Sequence, residues 1–136
     1  MKNTKATILI VDDEPINIDI IRAHLENDNY ELETASNGKA AWSMLEATPA
    51  RFDVIILDRM MPGMDGMQLL SNIKENEILE HVPVVMQTAK SENRDIVEGI
   101  KAGAYYYLTK PYEGDLLKTI VRGAVNDRLH EKSLHE

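Results

Sequence analysis

Carboxylates end two short apolar runs of this 136-residue chain. Asp12 and Asp13 follow the run ILIV, and Asp58 follows the run VIIL. Runs of this kind are typical of strands that are covered on both faces. Three carboxylates that come close together repel one another, so they need either protons or a cation. These aspartates are therefore the first candidates for a reactive or cation-binding site.

A hydroxyl group and an amine stand at the ends of two further apolar segments. The segment VPVVM finishes at Thr88, and the segment YYYL leads to Lys110. The carboxyl ends of parallel strands meet at one rim of a sheet, which is where such sheets bind their ligands. The strand ends would therefore bring three carboxylates, one hydroxyl and one ammonium group to the same rim.

The elements that must position these groups alternate between strand and helix. Each apolar segment is followed by apolar residues at helical spacing. This alternation predicts an α/β protein with a flavodoxin-like doubly wound (βα)5 fold, in which a five-stranded parallel sheet of order 2-1-3-4-5 has helices on both faces. Strands are expected over residues 6–11, 30–35, 54–57, 82–86 and 105–108.

Several residues are suited to begin or end the predicted helices. Pro15 can open the first helix, because the N–H that proline lacks has no intrahelical partner at that position. Asn37-Gly38 turns the chain into the second helix. Ser91 can cap the fourth helix, and Gly103 can end it.

The predicted strand order makes Asp58 the natural reacting group, because it would lie between the Asp12/Asp13 pair and Thr88. The candidate ligands are hard oxygens with no histidine or cysteine nearby in sequence, which favours Mg²⁺ over zinc. Three carboxylates are offset by Mg²⁺ and Lys110, so the site would be about neutral. An acyl phosphate on Asp58 would carry about −2 in place of −1. The residues thus indicate an aspartate that accepts a phosphoryl group.

The composition excludes several other classes of function. The chain has no cysteine, which excludes disulfides, thiolate metal sites and cysteine nucleophiles. A formal net charge of −8 argues against direct contact with nucleic acid. The longest apolar runs are about four residues, whereas a membrane span needs ~18. We therefore expect a cytoplasmic protein with no membrane partner and no direct nucleic-acid partner.

The candidate residues, in this order and spacing, resemble the receiver domain of bacterial two-component response regulators. The likeness covers nearly the whole chain, and its pieces are Asp12-Asp13, Asp58, the loop MPGMDG at 61–66, Thr88-Ala89 and Lys110-Pro111. The resemblance implies a phosphorylation-driven signalling switch that is not a metabolic enzyme. Its phosphodonor would be a histidine kinase, a phosphotransfer protein or a small donor such as acetyl phosphate.

The resemblance also implies the residues of the acidic site. Asp58 would be the phosphoacceptor. Asp13 and Asp58 would bind Mg²⁺ directly, Asp12 would act mostly through water, and Met60 would offer its backbone carbonyl. Lys110 would contact the phosphoryl oxygens. Because Met60 has no group to orient an attacking water, we expect slow hydrolysis of the phosphoaspartate.

A conformational switch is implied as well. Thr88 would move toward the phosphoryl group, and Tyr107 would turn inward into the space that Thr88 leaves. The rearrangement would change the face made by the fourth helix, fifth strand and fifth helix, where an effector or a second receiver docks. A cis peptide bond is expected between Lys110 and Pro111.

Each assignment has a simpler alternative. Asp12 and Asp13 could cap the first helix. Thr88 could be a structural hydroxyl, and Lys110 could be a solvated charge. Tyr107 belongs to a tyrosine run that favours a strand. The methionines of the loop resemble a soft-metal cluster, but packing is their simpler role. Arg59 stays unassigned.

Two other functions compete with the signalling receiver. A magnesium-dependent phosphatase with an aspartyl intermediate would resemble the haloacid dehalogenase superfamily, but such enzymes keep a second aspartate where this chain has Met60. A binding module that works without phosphorylation is the third interpretation, and the intact set of site residues argues against it. The cognate kinase and the output partner cannot be read from the sequence.

The length fits one domain, with short extensions at both ends. Residues 1–5 are expected to be a disordered extension, 6–125 the receiver domain, and 126–136 a polar helical extension or linker. The segment 122–136 is expected to be too polar to belong to the core. It is either a fraying end of the last helix or a linker toward an effector domain or a dimer partner.

Overall fold

A computed structural model describes residues 5–89 and 92–134 of the chain. Five strands and five helices alternate, and the strands form one parallel sheet of order β2-β1-β3-β4-β5, as predicted. The strands are β1 (Ala6–Val11), β2 (Tyr30–Ala35), β3 (Val54–Asp58), β4 (Val84–Thr88) and β5 (Tyr106–Thr109). The helices are α1 (Pro15–Leu25), α2 (Gly38–Ala47), α3 (Gly66–Lys74), α4 (Asn93–Lys101) and α5 (Gly114–Leu134).

Both faces of the sheet carry a hydrophobic core. Successive side chains of a strand point to opposite faces, so Leu9 belongs to a cluster with residues of α2 and α3, whereas Ile8 belongs to a cluster with residues of α1 and α5. The same division occurs in β3, where Leu57 faces the first cluster and Ile56 the second. Burial on both faces explains why these strands read as continuous apolar runs.

The strand boundaries differ slightly from the prediction. β4 begins at Val84 rather than Val82, because the Val82 N–H donates to Leu79 in a turn and Pro83 has no N–H to offer the sheet. The Pro83 carbonyl still accepts the Ile55 N–H at 3.0 Å, so the proline leads directly into the strand.

The helix ends agree with the predicted signals where the structure describes them. Pro15 is the first residue of α1, and the Asn37 side chain accepts the Ala40 N–H at 2.7 Å to cap α2. Gly103 follows α4 with a φ of 112°, a left-handed conformation that favours glycine. Ser91 and residues 1–4 lie outside the described residues.

The expectation that segment 122–136 is too polar to join the core is wrong for part of it. Ala124, Val125 and Arg128 are buried, and α5 continues as far as Leu134. The reason is helical spacing, because Val125, Arg128 and Lys132 lie on one side of α5 among polar neighbours. Lys132 Nζ lies 2.6 Å from Oδ1 of the buried Asp53, which precedes β3. The role of this segment as a linker stays a prediction.

Membrane-spanning helices are absent from the part of the chain that the structure describes. Over residues 5–89 and 92–134, each helix is either too short or too polar to cross a bilayer.

Candidate functional site

Three carboxylates meet at the carboxyl rim of the sheet. β1 and β3 are neighbours with Val11 opposite Leu57, so the residues that follow them, Asp12 and Asp58, come side by side. Asp12, Asp13 and Asp58 each place a carboxylate oxygen within 4.8 Å of the others. Asp12 is fully buried, Asp58 is nearly so, and Asp13 is partly exposed. Carboxylate oxygens grouped in this way suit a hard divalent cation such as Mg²⁺.

Lys110 reaches the same rim from the end of β5. Its Nζ lies 3.8 Å from Asp12 Oδ2 and 3.8 Å from Asp58 Oδ1. Its backbone N–H donates to the Thr88 carbonyl at 2.8 Å, which ties the lysine to the end of β4. The peptide bond to Pro111 is cis, as the resemblance implied.

Thr88 completes the predicted set of strand ends. It is the last residue of β4 and is fully buried, and the residue before it, Gln87, pairs with Asp58 across β3 and β4. The structure therefore brings the ends of β1, β3, β4 and β5 to one rim, as the sequence predicted.

Burial and mutual repulsion change the acid–base properties of the carboxylates. Burial, followed by the charge of Asp12, raises the pKa of Asp58 to about 6, while Lys110 and the Met60 N–H act in the opposite direction. Burial also raises the pKa of Asp12, against the hydrogen bond that its Oδ1 accepts from the Glu14 N–H at 2.9 Å. A nearby cation would favour the ionised forms of both Asp12 and Asp58 and so lower both pKa values.

The turn after Asp12 bears on the alternative that Asp12 and Asp13 cap α1. Glu14 occupies the N-cap position of α1, and Asp12 supports this turn by accepting the Glu14 N–H. Asp12 thus shapes the start of the helix while its carboxylate also belongs to the acidic cluster.

The loop between β3 and α3 approaches Asp58 closely. A Cβ added at Gly66 would lie 2.5 Å from the Asp58 carbonyl oxygen and 2.6 Å from the Arg59 Cα, so a side chain does not fit there. Asp65 caps α3 by accepting the Gln68 N–H, and the Gln68 side chain accepts the Asp65 N–H in return.

The loop methionines fall into two groups. Met61 is buried, and Met64 and Met67 pack against the core, which agrees with the packing interpretation. Met60 is 54% exposed, and its backbone N–H lies 3.4 Å from Asp58 Oδ1.

The site contains two polar residues that sequence reasoning missed. Gln87 donates from Nε2 to Asp12 Oδ2 at 3.1 Å, and its Oε1 accepts the Tyr112 hydroxyl at 2.5 Å. Burial, aided by the charges of Asp12 and Asp58, raises the pKa of Tyr112 to about 12, so the phenol is a donor at neutral pH. An amide inside an otherwise apolar strand was the signal that could have revealed Gln87.

Arg59, which the sequence left unassigned, connects the end of β3 to β5 and α4. This nearly buried arginine donates to the Tyr107 hydroxyl at 3.0 Å and to the Asp95 carbonyl at 3.1 Å, and it pairs with Glu98 of α4. Tyr107 is buried in this structure. The residue next to the central aspartate therefore holds both α4 and the predicted switch tyrosine.

A cleft beside Lys110 leads toward the rim. Its volume is about 260 Å³, and its lining includes Ile20 and His24 of α1 together with Pro111 and Tyr112. The rim is thus accessible from the side of α1.

Comparisons with known proteins agree with this geometry. The model of the response regulator receiver domain family matches residues 8–122. The chain is 38% identical to the response regulator PleD of Caulobacter vibrioides over 91% of this chain and 27% of that protein. It is 39% identical to the transcriptional regulatory protein ResD of Bacillus subtilis over 82% of this chain and 45% of that protein. The chain therefore spans less than half of these relatives.

A solved structure shows the same likeness over nearly its whole length. The response regulator receiver domain protein of Clostridium thermocellum superposes with a TM-score of 0.83 at 31% identity, covering 96% of this chain and 99% of that one. The fold, the acidic rim and the family match agree, and the chain belongs to the response regulator receiver domain family.

Proposed function

We propose that this receiver is a phosphorylation-activated switch of a two-component system and that Asp58 accepts the phosphoryl group. The observation that supports this proposal is the meeting of Asp58 with Asp12, Asp13 and Lys110 at the carboxyl rim of the sheet. In such a group, one acid can react while its neighbours and the lysine control the local charge.

The proposed reaction is a transfer to a carboxylate oxygen. Asp58 attacks the phosphorus atom of a phosphohistidine, a P–O bond forms, and the P–N bond breaks with its electron pair returning to the imidazole. With acetyl phosphate, the bond between phosphorus and the acetate oxygen breaks instead. Lys110 lies 3.8 Å from Asp58 Oδ1, which is close enough for its ammonium group to contact the transferred oxygens.

We propose Mg²⁺ as the cation of the site. Asp13 and Asp58 would hold it directly, and Met60 would offer its backbone carbonyl. Asp12 would act through water, and its two oxygens accept hydrogen bonds from Glu14 and Gln87. When bound, a divalent cation supplies positive charge that offsets the charge of the phosphoryl group.

The proposed response begins at Thr88, which would move toward the phosphoryl group, and continues at Tyr107 on the neighbouring strand. The surface whose partner binding changes would be the face formed by α4, β5 and α5. Exposed apolar side chains favour protein docking there, and this face presents Val97, Ile100, Tyr106 and Leu116.

The proposed partners are a histidine kinase or phosphotransfer protein on the input side and an effector on the output side. A homodimer through the α4–β5–α5 face is a further proposal. We place these interactions in the cytoplasm and include no direct contact with nucleic acid or membrane.

The decisive experiment is incubation of the purified chain with acetyl phosphate and Mg²⁺, followed by intact mass spectrometry. The wild-type chain should gain one phosphoryl group, and Asp58→Asn should gain none. Asp19→Asn, which changes an exposed aspartate of α1, is the matched control and should be modified like the wild type. Equal modification of Asp58→Asn would refute the assignment, and turnover of free phosphate esters would support a phosphatase instead.

A further inference from the structure

Gln87 and Tyr112 form a hydrogen-bonded chain that ends on the acidic site. The Tyr112 hydroxyl donates to Gln87 Oε1, and Gln87 Nε2 donates to Asp12 Oδ2. Gln87 and Asp12 are both fully buried. A buried amide is costly to keep unless both of its ends have partners, and here both ends do.

The chemistry of the three groups determines how the amide is oriented. If the Gln87 amide were reversed, its carbonyl oxygen would face the Asp12 carboxylate, and two acceptors cannot form a hydrogen bond. The tyrosine hydroxyl donates to Oε1 and so favours the orientation in which Nε2 faces Asp12. Tyr112 therefore acts on Asp12 through Gln87.

The hydrogen bond from Gln87 gives the second oxygen of the Asp12 carboxylate a donor. Asp12 Oδ1 accepts the Glu14 N–H, and Oδ2 accepts from Gln87, so each oxygen has a donor of its own. The terminal torsion of an aspartate side chain is otherwise broad. Two donors from different elements therefore restrict the plane in which Asp12 faces a cation or its water.

The same pair of residues holds the segment that carries Lys110. The Lys110 N–H donates to the Thr88 carbonyl, and two residues later the Tyr112 hydroxyl donates to the Gln87 side chain. Consecutive residues of β4 thus bind both ends of segment 110–112. Lys110 Nζ lies 3.8 Å from both Asp12 and Asp58, and this placement depends on where the segment lies.

We propose that Gln87 and Tyr112 are positioning residues for phosphoryl transfer, holding the Asp12 carboxylate and the Lys110 segment in the geometry that the reaction needs. This inference rests on the proposed function of Asp58. It adds two residues that act through others and do not touch the reacting atoms.

The test compares Gln87→Met and Tyr112→Phe with the wild-type chain. Gln87→Met keeps the length of the side chain and removes both hydrogen bonds, whereas Tyr112→Phe removes a single oxygen atom. Tyr105→Phe is the matched control, because it also removes a tyrosine hydroxyl that donates a hydrogen bond, in this case to the exposed Asp127 at 2.6 Å. The dissociation constant for Mg²⁺ is measured by calorimetry without a phosphodonor. At saturating Mg²⁺, intact mass over time gives the rate constant of phosphorylation at saturating acetyl phosphate and the acetyl phosphate concentration that gives half that rate.

Gln87→Met should weaken Mg²⁺ binding about tenfold, the effect typical of lost support around a metal ligand. Tyr112→Phe should weaken it less and lower the maximal rate constant of phosphorylation, while the half-saturating acetyl phosphate concentration stays unchanged. Tyr105→Phe should match the wild type. The variant that combines Gln87→Met and Tyr112→Phe should bind Mg²⁺ no more weakly than Gln87→Met alone, because Tyr112 acts through Gln87.

Unchanged Mg²⁺ affinity and an unchanged maximal rate constant of phosphorylation in Tyr112→Phe, with only a lower free energy of unfolding, would overturn the inference and leave a purely structural role. Tyr112→Phe decides the question alone if Gln87→Met does not fold. Failure of the proposed function has a different signature: the wild-type chain itself would stay unmodified by acetyl phosphate, whatever the variants do to Mg²⁺ binding.

Discussion

Asp58 lies at the end of β3 with its carboxylate buried and close to that of Asp12. The surroundings favour its protonated form and raise its pKa to about 6. In the unfolded chain the carboxyl group titrates near its ordinary value of 3.8. The folded state therefore binds this proton more tightly than the unfolded state, and stability falls as pH rises from about 4 to about 6.

Asp58→Asn should stabilise the chain at neutral pH when no divalent cation is present. The expected gain in the free energy of unfolding is roughly 2–3 kcal/mol above pH 6, because two units of pKa correspond to that amount. The gain should shrink below pH 6 and largely vanish below about pH 4, where both states of the wild type are protonated. Urea denaturation at several pH values measures it, and a gain that does not depend on pH would contradict this account.

The Met60 side chain sets an expectation for the lifetime of the phosphoryl group. It is 54% exposed beside Asp58 and has no donor or acceptor strong enough to orient an attacking water. We predict that the phosphorylated chain keeps its modification for minutes or longer after the donor is removed. Mass spectrometry over time measures the loss, and a lifetime of seconds would contradict the prediction. Met60→Asn, which adds a polar amide, should shorten the lifetime.

At the scale of elements, Arg59 joins three parts of the fold. Its backbone N–H donates to Gln87 of β4, and its guanidinium binds Tyr107 of β5 and Glu98 of α4. Most of these partners are buried, so losing the arginine would leave the Tyr107 hydroxyl without this donor inside the protein. Any motion of α4 must break or rearrange these contacts.

Arg59→Met should lower the free energy of unfolding by about 1–3 kcal/mol, the cost of a broken buried hydrogen-bond network. The matched control is Arg94→Met, which removes an arginine of α4 whose ion pair with Glu92 is largely exposed. The control should change stability by less than about 0.5 kcal/mol. Chemical denaturation of both variants measures the difference, and equal losses would show that the contacts of Arg59 contribute no more than a surface pair.

At the scale of the whole molecule, the sequence predicts best where one physical rule decides the outcome. Burial on both faces requires apolar strands, so the runs around Leu9 and Leu57 revealed the sheet. A parallel sheet brings its carboxyl ends together, so Asp58, Thr88 and Lys110 were found from their positions after those runs. No local pattern decides which distant side chains meet, and for that reason the Gln87–Tyr112 pair was missed.

The C-terminal helix shows a second limit of sequence reasoning. Its polar composition suggested a segment outside the core, yet Val125 and Arg128 are buried and Lys132 pairs with Asp53. Average polarity hides these contacts because one helix face can bury a few residues while the remaining residues stay exposed. The position of each residue around the helix axis, rather than the composition of the segment, decided the result.

Aspartates lie at both ends of β3 and have different surroundings. Asp53 precedes the strand and is held by Lys132 and the Thr7 N–H, whereas Asp58 ends it at the acidic rim. A strand of this length separates the two by about 17 Å. When Mg²⁺ is added at constant pH, the Asp53 carboxylate signal in an NMR spectrum therefore serves as an internal reference from the same strand, against which a change at Asp58 can be read without an external standard.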